Sequence, residues 1–62
     1  MVQKEDILRL LKNDRFGLTI QDISNKLKIN RITTRILLAE LIGSGKLLIK
    51  EVGRAKLHYL IN

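Results

Sequence analysis

The stretch from Thr19 to Gly45, TIQDISNKLKINRITTRILLAELIGSG, constrains the fold of this chain more than any other. It reads as two short helices joined by a tight turn at Lys28-Ile29-Asn30. Thr19-x-x-Asp22 is a capping box with Asp in the place of the longer Glu, so it marks a helix start. Ile20, Ile23 and Leu27 follow at i, i+3 and i+7 and define one buried stripe over about residues 20–28. Asn30 is a strong cap for a further helix over about 31–42. Ile29 is the apolar turn residue that fills the space between two crossed helices.

That further helix is apolar on two sides. At 100° per residue, Leu37, Leu38 and Leu41 lie within about 60° of Thr34 and form a core stripe. Around the opposite side stand Ile32, Ile36, Ala39 and Gly43, flanked by Arg35 and Glu40. A helix with two apolar sides is usually covered on both, yet a small core needs only one. The second side therefore calls for a partner.

The flanking segments complete the pattern. Residues 3–13 form a first helix, with Ile7, Leu8, Leu10 and Leu11 on one broad face. Glu5 and Asp6 sit in its first turn and Lys12 in its last, each sign suiting the helix dipole. Asn13 is expected to end it in a left-handed conformation. Asp14-Arg15-Phe16-Gly17 reads as a turn with Phe16 as the apolar plug beneath it, and Leu18 as a very short extended segment. Gly43-Ser44-Gly45 stops the third helix. Two strands follow over about 47–61, with Gly53 at the first central position of a two-residue type II′ turn. That register sets Glu51 opposite Lys56, Leu48 opposite Tyr59, Leu47 opposite Leu60, and His58 beside Ile49. The exposed tip carries Arg54 with Lys50 and Lys56 behind it. The expectation is one mostly α domain over residues 1–62, three helices followed by a two-stranded antiparallel hairpin.

Composition narrows the function classes. The chain has no cysteine and one histidine, so disulfides and Cys/His metal sites are excluded. Ser24, Ser44, Asp22 and His58 come from separate elements and imply no catalytic geometry, and Gly43 and Gly45 lack phosphate-loop spacing. No enzyme activity, metal or cofactor is expected. No apolar run is long enough for a membrane span, and MVQKEDILRL does not fit a signal peptide, so a cytoplasmic protein is expected. His58 reads as a partly buried strand residue. The net charge of +6 is segregated: residues 1–25 are neutral overall, while residues 26–62 hold eight basic side chains against Glu40 and Glu51. Segregated positive charge is the footprint of a polyanion binder.

Helix, helix-turn-helix, then hairpin is the order of a winged helix-turn-helix domain. Over residues 5–61 the chain resembles the DNA-binding domains of small prokaryotic, archaeal-type transcription regulators. Ile23-Ser24 and Leu27 match the family's "LA…L" helix, and Ile29-Asn30-Arg31 its "I-S-R" turn. Leu38, Leu41 and Gly45-Lys46-Leu47 match its "L-x-x-L-x-x-x-G-x-[LIV]" ending. Gly53-Arg54 with Leu57, His58 and Tyr59 is similar to its "G-R…Y-x-L" wing. Winged helices that bind left-handed duplexes carry Pro-Pro and Trp in the wing, which this chain lacks.

The resemblance implies that the third helix enters the major groove of double-stranded DNA. Arg31 and Arg35 would meet guanine or phosphate, Thr33 either kind of group, and Ile32 or Ile36 thymine methyls. Asn30 would act as a cap whose neighbours' backbone N–H groups hold a phosphate, as would the Thr19 helix start. Arg54 would reach the minor groove or the backbone, and Lys50 and Lys56 the phosphates. The departure from the family is the apolar outward face, where polar residues are usual. It admits a second reading, a protein-interaction winged helix within transcription or replication machinery. Small size and surplus apolar surface also suggest a homodimer, joined through the hairpin edge or the first helix so that the third helix stays free.

Overall fold

The computed structural model describes residues 2–61; Met1 and Asn62, the ends of the expected 1–62 domain, lie outside the described residues. Three helices precede a hairpin: α1 (Lys4–Lys12), α2 (Ile20–Leu27), α3 (Arg31–Gly43), β1 (Leu47–Val52) and β2 (Ala55–Leu60). This is the winged-helix arrangement expected from the sequence. No helix among the described residues is long and apolar enough to cross a membrane.

Local chemistry explains where each helix begins. The Gln3 N–H donates to Asp6 Oδ2 at 2.8 Å ahead of α1. At α2 the box closes in both directions: Asp22 N–H donates to Thr19 Oγ1 at 3.1 Å, and Thr19 N–H to Asp22 Oδ2 at 3.3 Å. Asn30 Oδ1 accepts from Thr33 N–H at 2.7 Å and starts α3. Each bond satisfies an amide that the helix itself leaves without a partner.

The helix ends correct one expectation. Asn13 is not left-handed; it stays right-handed at φ −88°, ψ −7°, its N–H turned back to Leu10 and Leu11. The left-handed residue is Lys28, at φ 56°, ψ 45°. There the chain must reverse within two residues, and the N–H groups of Lys28 and Ile29 both return to the Ser24 carbonyl. At the end of α3, Gly45 takes φ +78°, its N–H reaching Ile42 O and that of Lys46 reaching Leu41 O. This is a Schellman closure in which glycine carries the positive φ without a Cβ clash.

The core is aliphatic. Ile7 and Leu11 of α1, Ile23 of α2, Leu38 and Leu41 of α3, Leu47 of β1 and Leu18 are all buried. Leu8, Leu10, Ile20, Leu27, Leu37, Ile42 and Leu60 pack around them. Thr34 is buried in the middle of the α3 stripe because its hydroxyl donates to the Asn30 carbonyl at 2.9 Å. Ile29 is half-buried in the turn.

Phe16 is not the plug; it is 91% exposed. Leu18 takes the interior position instead, as a one-residue antiparallel bridge to His58, with N–H···O distances of 3.0 and 2.8 Å. The chain can approach β2 this closely because residue 17 is glycine. A Cβ there would stand 3.0 Å from the His58 carbonyl oxygen and 3.1 Å from Leu57 Cβ, at a φ of +96°. His58 is buried more deeply than expected, at 3% exposure, and its Nδ1 lies 3.0 Å from the Leu18 carbonyl. A carbonyl only accepts, so Nδ1 carries the proton. The imidazole thus reinforces the bridge that ties the hairpin to the helices.

The hairpin register is the expected one at every position, from Leu47 opposite Leu60 to Val52 opposite Ala55. Gly53 has φ +61° and Arg54 does not have positive φ, as a type II′ turn requires. Glu51 and Lys56 stand opposite, but the ion pairs among the described residues are elsewhere, at Lys4–Glu40 and Arg9–Asp6.

Candidate nucleic-acid interface

Three elements converge on one side of the molecule. The first two turns of α3, the start of α2 and the hairpin tip enclose an open groove of about 330 Å³. Arg31 and Arg35 from α3, Arg54, Ala55 and Lys56 from the hairpin, and Thr19, Ile20 and Gln21 from the start of α2 line it. Arg31 and Arg35 face the hairpin together because four residues make just over one helical turn. Lys56 reaches the groove because the cross-strand order puts it on the face shared with Leu47, His58 and Leu60, the face toward the helices.

The groove is strongly electropositive. Arg31, Arg35, Arg54 and Lys56 are exposed, and none of them joins an ion pair among the described residues. Arg31 opens α3, where the helix dipole already places positive potential, and the start of α2 adds a second positive end. Asp22 offsets part of the latter. Four unpaired cations around a concave surface leave repulsion that an anion relieves.

The expected site residues divide into three groups. Arg31, Arg35, Arg54 and Lys56 are brought together. Ile32, Thr33 and Ile36 lie outside the groove on adjoining exposed surface of α3, with Ile32 72% and Ile36 54% exposed. Asn30 and Lys50 are set apart. The Asn30 side-chain oxygen is engaged by the Thr33 amide, as a cap. Lys50 pairs with Leu57 and so projects from the opposite face of the hairpin to Lys56; it does not line the groove. Strand alternation separates two lysines that the sequence places equally near the tip. Gln21 is a groove residue that sequence reasoning missed. Nothing in its local pattern marks it, because only the packing of α2 against the hairpin brings it there.

On its other side the outward surface of α3 meets α1 through the Lys4–Glu40 pair, 3.2 Å between Nζ and Oε2. The pair offsets the acidic charge on the outward-facing half of α3. No protein-family model, curated protein or solved structure matches the chain.

Proposed function

We propose that this protein binds double-stranded DNA, with α3 in the major groove and the hairpin as a wing along the backbone, and acts as a transcriptional regulator. The observation that carries this reading is the convergence of Arg31, Arg35, Arg54 and Lys56 from two separate elements on one groove at the start of α3. Duplex DNA presents one negative charge per ~1.7 Å of axis, a density of phosphates that a cluster of unpaired cations can neutralise. The capped start of α3 is the part of a recognition helix that meets base edges.

A homodimer would double this footprint and space two half-sites about one helical turn apart. The hairpin face turned away from the helices supports such pairing, since Leu48 and Val52 there are half-exposed. Joining two copies on that side leaves α3 free.

A second reading rests on a specific observation, the exposure of Ile32 and Ile36. It makes the same domain a protein-interaction module whose partner covers that face. The two readings separate by mutation. Arg31→Ala and Arg54→Ala weaken duplex binding, measured by fluorescence anisotropy, and leave the oligomer intact if DNA is the target. Under the second reading Ile36→Glu dissociates an oligomer or a partner, while duplex binding is absent throughout.

A further inference from the structure

We infer that the outward face of α3 reads thymine methyl groups, making the protein selective for thymine-bearing major grooves. The inference rests on the DNA reading above and gives the apolar face an occupant within it.

Ile32 and Ile36 are large aliphatic side chains standing in solvent at 72% and 54% exposure. Neither serves the core, whose α3 residues are Thr34, Leu38 and Leu41 on the far side of the helix. Cations flank them on the hairpin side at Arg31 and Arg35, and Glu40 on the α1 side is paired with Lys4. An apolar strip bordered by unpaired arginines suits a surface that is apolar in its floor and anionic at its rim. The major groove at thymine is such a surface: phosphates line its edges, and the thymine C5 methyl is the apolar group on its floor. A protein partner would have to supply an acidic rim around an apolar patch to match as well.

Spacing agrees. Ile32 and Ile36 are four residues apart, about 6 Å along the helix, close to the ~6.8 Å of two base-pair steps. Both can therefore address methyl groups two steps apart along the groove. Aliphatic side chains cannot tell hydrogen-bonding base edges from one another, so the discrimination lies in the methyl group. Arg31 and Arg35 then hold the register through phosphate or guanine.

The test compares three alternating duplexes of equal length, poly(dA-dT), poly(dA-dU) and poly(dG-dC), with a fourth carrying 5-methylcytosine in place of cytosine. Uracil removes only the methyl; 5-methylcytosine places one at the equivalent major-groove position. Burying one methyl is worth about a fourfold change in affinity, so wild type binds the dA-dT duplex about four- to fifteenfold tighter than the dA-dU duplex. It also gains on cytosine methylation. The I32A/I36A double variant, altered only at exposed positions, keeps its circular-dichroism melt and loses both differences. Equal wild-type affinity for dA-dT and dA-dU overturns the inference while leaving DNA binding intact. A methyl preference that persists in I32A/I36A overturns it too, by placing the readout elsewhere. No binding to any duplex at 50 mM salt overturns the DNA reading, and this inference with it.

Discussion

Two exposed surfaces lie side by side on α3, and they were built by different means. The outward face with Ile32 and Ile36 belongs to one helix, and its character follows from residue spacing alone. The groove beside it is assembled from α2, α3 and the hairpin tip, so its character depends on packing. The first surface is apolar and the second cationic, although both stand at the N-terminal half of the same helix. The difference teaches that the charge of this site is a tertiary property. It exists only while the hairpin is held against the helices, through the Leu18–His58 bridge that Gly17 permits and through Leu47 and Leu60 in the core.

Removing both groove arginines of α3 should have the largest effect. Arg31→Ala with Arg35→Ala is expected to lower duplex affinity on the order of a hundredfold, while the melting curve stays within about 0.5 kcal/mol of wild type because both side chains are exposed. Gly17→Ala attacks the comparison from the packing side. The added Cβ meets the His58 carbonyl and Leu57 at a positive φ, so a loss of about 2 kcal/mol in denaturant unfolding is expected. Gly53→Ala, where a Cβ meets nothing within 4 Å, should lose only about 1 kcal/mol by the same measurement.

The two hairpin lysines offer a finer contrast. Lys56→Ala should reduce the slope of log affinity against log salt by ~0.9, and Lys50→Ala should leave it unchanged, since only Lys56 faces the groove. Equal effects would show that the groove does not define the contact surface. The smallest expected change is Lys28→Gly, which relieves a left-handed non-glycine residue. It should stabilise the fold by roughly 0.5–1 kcal/mol in denaturant midpoint analysis, with little change in binding.

Much of the fold was legible because local rules set it. The Thr19–Asp22 box, the Asn30 cap, the Thr34–Leu38–Leu41 stripe and the full hairpin register are all found as expected. Phe16 and Leu18 were less legible because both are large, apolar and adjacent to the same turn. What selects Leu18 for the interior is its pairing with His58, forty residues away, which no local pattern encodes. The left-handed position fell on Lys28 rather than Asn13 because the geometry of chain reversal outweighed residue preference. Of the site, the arginines were legible as types and spacings. The separation of Lys50 from Lys56 was present in the register, through the parity of a strand. Gln21 was not legible, since its place depends on how α2 meets the hairpin.

The central claim is that the cations around the α3 groove neutralise DNA phosphates. Anisotropy of a labelled duplex titrated with the protein at 50 and 200 mM salt tests it most directly. Four phosphate contacts give a log–log slope of about −3.6, a loss of affinity on the order of a hundredfold between the two conditions. Absence of binding at 50 mM salt, or affinity that does not change with salt, would contradict the account.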